Sequence, residues 1–536
     1  MILGSPERLS SREIETEFAG DTEFAGDAES PGDDVSPVNG VSPPNSVSPL
    51  NSFVRDLPRS NTHRPSGVVV TNPSPSQEPV RVTFLGASRT VTGSKYLIEH
   101  KKSSFLIDAG LFQGGKELRL RNWAKFPVDV SQIGAVVLTH AHIDHTGYLP
   151  RLVNQGFRGP IYCTKATADL TRILLLDSAH LQEEEARYAD RAGSSKHHPA
   201  LPLYTTADAQ RALELLTVIP RGAPTELLPG VRVKPVLAGH ILGATSLGIE
   251  VGGRRLCFSG DIGRYGVPIL PDPEGLEMGD LLVMESTYAD RDHPHTDPEE
   301  ELLRVVQDSL HRHGPVIFPA FALGRTQTIL YCLAKLEREG RLEPLPVFVD
   351  SPMAADSSDV YRNNPSDFDA EMLDRIGERH NPLRTLRTKF CRTVEESKAI
   401  NDVTGPRIII SASGMVTGGR ILHHLRRWLP NPNATVVFVG FQGEGTRGAI
   451  IQSRAEDVKI FGEYVPIRAH IETLSSLSAH AGRSELLRWA KSGTGAPSRV
   501  KVVHGEPKQT ELLAATLREE LGWNASPAEH LETIEV

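Results

Sequence analysis

The chain has 536 residues, 39% of them hydrophobic and 23% charged, enough for two or three domains with sizeable cores. Its net charge of −9 is concentrated near the start: residues 1–80 hold 12 acidic and 5 basic residues, so the rest is nearly neutral. That balance neither supports nor excludes an anionic substrate, while an aromatic content of 6% argues against a surface rich in stacking rings. Cys163, Cys257, Cys332 and Cys391 form no CxxC pair, which argues against a disulfide framework or a cysteine zinc ribbon. No uncharged apolar run approaches the ~20 residues of a membrane span. The opening MILGSPERLS lacks the basic and apolar regions of a secretory signal. A cytoplasmic protein with no membrane partner is expected.

Residues 1–79 predict a disordered low-complexity tail. TEFAGD occurs twice, from Thr16 and from Thr22, and three Val-Ser-Pro hexads follow from Val35, Val41 and Val47. Such a segment buries too little apolar surface to offset its ordering entropy. Order begins near Val80. VRVTFLG, SKYLIEH, SSFLIDAG and IGAVVLTH read as strands. LTRILLLDSAHLQEEEARYA and TTADAQRALELLTVI read as helices, and SLGIEVGGRRLCFSGD as a hairpin around Gly252-Gly253. This pattern predicts β-rich layers flanked by helices. After Glu285 strands and helices alternate, through DPEEELLRVVQDSLHRHG, PVIFPAFA, GRTQTILYCLAKLEREG, PVFVDSP, PRIIISASG and GRILHHLRRWL. That alternation marks a parallel α/β sheet inserted into the first unit. From about Thr446 a strand-rich stretch returns, and the chain closes with RVKVVHGE and a helix.

The chemistry is concentrated in LTHAHIDHTGYLP. It places His140, His142, Asp144 and His145 within six residues, directly after an apolar strand. A His-x-His at a strand end brings two imidazoles within reach of one ion, and Asp144 and His145 face a neighbouring position. Two adjacent cation sites of this kind suit in-line displacement.

These residues resemble the metallo-β-lactamase fold. The resemblance implies further ligands at later strand ends, and the sequence supplies His240 in VLAGHILGATS, Asp261 in RLCFSGDIGR and His504 in VKVVHGEP. It implies one cation on His140, His142 and His240, a second on Asp144, His145 and His504, and Asp261 bridging them. Zn²⁺ is the implied metal on both, with Mn²⁺ as an alternative. Asp108 in FLIDAG matches the family's first-strand aspartate and is expected to support a ligand rather than to be one.

Three further features resemble the β-CASP subfamily of nucleic-acid nucleases: Glu285 in LLVMESTYADR, His480 in SSLSAHAGRSE, and His504 again. The likeness runs from Val80 to the C-terminus. It is nearest to bacterial β-CASP ribonucleases without a KH domain, and more distant to the eukaryotic pre-mRNA 3′-end-processing endonuclease. It implies an αββα sandwich with an inserted parallel α/β domain: residues 80–290 and 451–536 forming the sandwich and 291–450 the insert. His480 is then the general acid that protonates the leaving oxygen, with Glu285 orienting it and Asp261 at the reacting centre. SASGMVTGG is expected to offer phosphate contacts through Ser413 and Gly414, and PAFALGRTQ through Arg325.

The expected function is zinc-dependent hydrolysis of RNA, internal to the strand, leaving 5′-phosphate and 3′-hydroxyl ends. A 5′→3′ exonuclease of RNase J type is the nearest alternative. The short stretch after His504 and the SAHAGRS loop favour the endonuclease. A small-molecule metallohydrolase fits the large insert poorly, and a non-catalytic RNA-binding scaffold would lack ligands that are present here. A homodimer is left open. The remaining histidines, His293 among them, are expected to serve only local hydrogen bonding, and Ser194–Leu203 to form a loop on the metal side.

Overall fold

The computed structural model describes residues 78–193, 199–294, 296–377, 381–440, 442–443 and 445–536. The repeat-bearing tail, up to Gln77, and part of the Ser194–Leu203 loop lie outside the described residues.

The first sheet takes β1 (Arg81–Phe84), β2 (Tyr96–His100), β3 (Ser103–Ile107), β4 (Ala135–Val137), β5 (Ile161–Cys163) and β6 (Leu216–Val218) in chain order. The second is built from β7 (Thr225–Leu228), β8 (Val231–Leu237), β9 (Thr245–Val251), β10 (Arg254–Phe258) and β11 (Leu281–Met284). The third contains β12 (Pro315–Pro319), β13 (Val347–Asp350), β14 (Thr388–Phe390), β15 (Arg407–Ser411) and β16 (Thr435–Phe438). β17 (Asp457–Ile460) and β18 (Glu463–Pro466) form a separate hairpin, and β19 (His470–Thr473) returns to the third sheet beside β16. The last strands complete the first two sheets: β20 (Arg499–Val502) and β21 (Ala525–Pro527) extend the second beyond β11, and β22 (Thr533–Glu535) pairs with β1.

Sheets one and two face each other. Along β8 the pattern alternates, with Val231 and Val233 buried and Arg232 and Lys234 exposed, as a strand with one wet face requires. The inner faces meet through Val82, Phe84, Phe105, Val233, Leu247, Ile249, Phe258 and Val283. Tyr96 stands between Phe84 and Phe258, with ring centroids 5.9 and 5.6 Å away. Helices cover both outer faces. Leu149, Leu152 and Leu175 pack on sheet one, and Leu486, Trp489, Leu513 and Leu517 on sheet two. This is the expected αββα sandwich.

The third sheet is parallel throughout. β12 and β15 are buried at every position, as strands covered on both faces must be. Its core continues into the sandwich, where Leu170, Leu174, Ile241 and Leu242 pack with Ala322, Leu323 and Tyr361. The insert is therefore anchored on the layer that carries the metal-competent histidines.

Two expectations need correction. The segment TTADAQRALELLTVI is not one helix. The helix spans Thr206–Glu214, opened by a capping box of Thr205 and Asp208, and the β-branched end becomes β6 on the open edge of β5. The boundary placed after residue 450 cuts the inserted sheet, because β19 pairs with β16 from Thr435↔His470 to Phe438↔Thr473. The chain leaves that sheet only after Thr473, since the edge of β16 is the one that Ile471 can cover. Among the described residues no helix is long and apolar enough to cross a membrane, and all four cysteines are buried and free.

The turn after β3 is held by a close approach. Gly110 donates its N–H to the Ser94 carbonyl at 2.9 Å, and a Cβ at this position would lie 1.6 Å from the backbone oxygen of Asp144. Backbone cannot yield as a side-chain end can. Gly110→Ala should therefore lower unfolding stability by about 1–3 kcal/mol in urea titration. Gly115→Ala, where nothing lies within 4 Å, should change it by less than about 1 kcal/mol. Equal effects would show that the Gly110 turn has slack.

Candidate metal centre

Seven side chains from separate strand ends meet at the edge shared by the two facing sheets. His140 and His142 follow β4, Asp144 and His145 lie on the short helix Ile143–Thr146, His240 follows β8, Asp261 follows β10 and His504 follows β20. Five are on loops directly after paired strands and two on the short helix that follows β4, so the spacing of the side chains is set by the sheets.

Two groups form around Asp261. In the first, His142 Nδ1 is 3.1 Å from His140 Nε2 and 3.2 Å from His240 Nε2. Asp261 Oδ2 is 3.5 Å from His140 Nε2 and 3.8 Å from His240 Nε2. In the second, His504 Nε2 is 3.3 Å from both His145 Nε2 and Asp144 Oδ2. Asp261 Oδ1 is 3.4 Å from His145 Nε2 and 3.6 Å from His504 Nδ1. One oxygen of Asp261 thus faces each group.

Burial holds His140 and His240 well below the usual imidazole range and takes His142 down to about 4. All three present neutral nitrogens with free lone pairs, the form a cation needs. Burial also works against a proton on His145 and His504. There the carboxylates outweigh it, Asp261 and Asp108 at His145 and Asp261 and Asp144 at His504, and both are raised. Burial alone would raise Asp261; the imidazoles of His504, His145 and His140 hold it well below the carboxylate range.

The donor set fits a metal. Asp261 Oδ1 is buried and accepts no hydrogen bond from any described residue. An orphaned buried carboxylate oxygen is costly unless a cation completes it. The nitrogen and carboxylate donors match a borderline ion such as Zn²⁺. This is a metal-binding site.

Supporting contacts fix the ring orientations. Asp108 Oδ2 lies 2.7 Å from His145 Nδ1, and the same carboxylate accepts Thr139 N at 2.7 Å and Thr139 Oγ1 at 2.8 Å. Asp108 therefore stands behind the His145 ring. Thr139 Oγ1 also lies 3.1 Å from His140 Nδ1, Thr287 Oγ1 lies 3.1 Å from His504 Nδ1, and the Ala479 carbonyl lies 3.3 Å from His240 Nδ1. None of the three contacts was expected from the sequence. Thr139 and Thr287 adjoin motif residues and could have been noticed; a backbone carbonyl carries no sequence signal.

Beside this cluster, His480 Nδ1 is 3.4 Å from Glu285 Oε1 and 4.0 Å from Asp261 Oδ2. The Glu285 carboxylate is anchored by the backbone, accepting Ile262 N at 2.6 Å and Thr287 N at 3.1 Å. His293, expected to serve only local hydrogen bonding, is buried with Nε2 2.9 Å from the carbonyl of His480, far along the chain. Its ring centroid is 5.0 Å from that of Tyr288. It holds the loop that carries His480.

Arg325 and His240 line one cleft of about 500 Å³ with Tyr361, Ser478 and Ala479. Desolvation lowers the Arg325 guanidinium to about 10, and it makes no ion pair among the described residues. An arginine in that state is a ready anion contact. Ser413 and Gly414 are not part of that cleft's lining. They follow β15 on the same C-terminal sheet edge as Arg325, which follows β12. Ser413 Oγ is engaged inside its own loop, accepting Thr417 N at 3.1 Å.

Comparison with known proteins agrees with this geometry. Residues 90–311 match the Metallo-beta-lactamase superfamily, 326–451 the Beta-Casp domain, and 464–526 the Zn-dependent metallo-hydrolase RNA specificity domain. Ribonuclease TTHA0252 of Thermus thermophilus is 37% identical over 439 residues, covering 82% of this chain and 96% of that protein. Transcription termination factor FttA of Methanococcus maripaludis is 30% identical over 456 residues, covering 82% and 68%. FttA of Methanocaldococcus jannaschii is 28% identical over 452 residues, covering 82% and 69%. The chain belongs to the metallo-β-lactamase superfamily, in its β-CASP group, and is a metal-dependent ribonuclease.

Proposed function

We propose that the chain hydrolyses RNA internally with two Zn²⁺ ions, leaving 5′-phosphate and 3′-hydroxyl ends. The observation that carries this reading is the position of Asp261, with one carboxylate oxygen toward each of two ligand groups and His480 at its side. His140, His142 and His240 would hold one ion and Asp144, His145 and His504 the other, with Asp261 between. When bound, such a pair neutralises charge on the phosphate and activates water for in-line attack.

The chain's own residues do the rest. The P–O3′ bond breaks as the new bond to water's oxygen forms, and the leaving 3′-oxygen needs a proton. His480 supplies it. Glu285, pinned by two backbone amides, faces His480 Nδ1 and leaves the other ring nitrogen for the departing oxygen. Arg325, with no ion pair among the described residues and in the cleft beside His240, takes a phosphate of the bound strand. Ser413 and Gly414 contribute backbone contacts to a neighbouring phosphate on the same sheet edge.

Chelation should abolish cleavage, and end-group analysis should find 5′-phosphate and 3′-hydroxyl. Products with 2′,3′-cyclic phosphate would contradict attack by water. His480→Ala should retain its metal by elemental analysis while turnover falls about 10²–10⁴-fold; loss of metal as well would make His480 a ligand instead. A circular RNA should be cut as readily as its linear form, whereas an exonuclease would leave the circle intact.

A further inference from the structure

We propose that Phe321 is a stacking platform for a nucleobase of the bound RNA, a role that rests on the ribonuclease reading of the site. Three loops meet at the C-terminal edge of the inserted parallel sheet: the one after β12 carries Phe321 and Arg325, the one after β15 carries Ser413 and Gly414, and the one after β16 carries Gly440 and Gln442. They are tied together, since Gln442 Nε2 donates to the Gly414 carbonyl at 3.0 Å. In open α/β sheets this edge is where ligands bind.

Phe321 is out of place there by solubility alone. Its relative exposure is 40%, and it is the one phenylalanine among the described residues that is exposed. It has no polar tip to reward contact with water, unlike Tyr or Trp. Nor is it on a loose loop. Its neighbours Ala320 and Ala322 are buried, and its carbonyl accepts both Thr326 Oγ1 at 2.9 Å and Thr326 N at 3.3 Å.

The ring itself rests on a glycine. A Cβ at Gly414 would lie 2.7 Å from Phe321 Cδ2 and 2.8 Å from Cε2. Only the bare backbone of Gly414 lets the ring sit this close, so the ring is packed against this loop while part of it stays exposed. The rim is polar, with Ser413 and Thr417 beside Gly414. A single fixed ring with a polar rim is too small for a protein interface. It suits one flat, unstacked base, whose phosphate then lies near the Ser413–Gly414 backbone and leads toward Arg325 in the cleft with His240. Every base has a π-face, so the contact is general rather than sequence-specific.

The test uses the full-length metal-loaded enzyme and short single-stranded RNAs carrying one abasic residue at successive positions. Phe321→Ala should raise KM about 5- to 150-fold with kcat little changed. Phe321→Trp should restore affinity. Phe321→Leu, which fills the space over Gly414 without a π-face, should not. In the wild type one abasic position should raise KM to a similar extent, and in Phe321→Ala that position should lose its effect. Rescue by Leu would make the ring a packing element, and an abasic effect that persists in Phe321→Ala would place the base elsewhere. Either result overturns the platform while the wild type still cleaves RNA. A wild type that cleaves none of these RNAs, with or without abasic residues, would instead overturn the ribonuclease reading beneath it.

Discussion

Asp261 is a buried carboxylate with imidazoles at both oxygens, His140 and His240 on one side and His145 and His504 on the other. The hydrogen bonds present leave Asp261 Oδ1 without a donor among the described residues. Ring nitrogens also face one another at 3.1–3.3 Å, and protonating them all would crowd like charges into a buried site. A cation resolves both problems, because it accepts lone pairs from nitrogen and oxygen together. The rest of the molecule can be understood as what holds this frustrated cluster in place.

The cluster is held by sheet edges rather than by its own contacts. Its side chains come from the ends of β4, β8, β10 and β20, spread over both sheets of the sandwich. Buried apolar residues between the sheets fix their separation, and Gly110 lets the loop after β3 press against the backbone of Asp144. The inserted sheet then brings a second edge over the first. Its core runs into the sandwich at Ile241 and Leu242, next to His240, so Arg325 reaches the same cleft as His240. The His/Asp cluster and Arg325 thus sit on two sheet edges joined by one apolar core.

Much of this was legible in the sequence because its signals are local. His140, His142, Asp144 and His145 lie within six residues, and the remaining ligands each end an apolar strand. The alternation after Glu285 revealed the parallel sheet. What escaped depends on distant partners. β6 looked like the end of a helix until the open edge of β5 was there to pair with it. β19 is assigned to the insert only by the edge of β16. His293 sits in a polar loop by sequence, and only the fold brings it to the carbonyl of His480. Phe321 was hidden twice, since the low aromatic content argued against stacking and nothing local distinguishes an exposed ring from the buried Phe318 of the same segment.

The account depends on cations at Asp261. Crystals of the untreated protein, measured on both sides of the zinc absorption edge, test it most directly. Two anomalous peaks are predicted, one within bonding distance of His140, His142 and His240 and one within bonding distance of Asp144, His145 and His504, each also touching Asp261. A cluster with no anomalous density, or a single peak between Glu285 and His480, would contradict it.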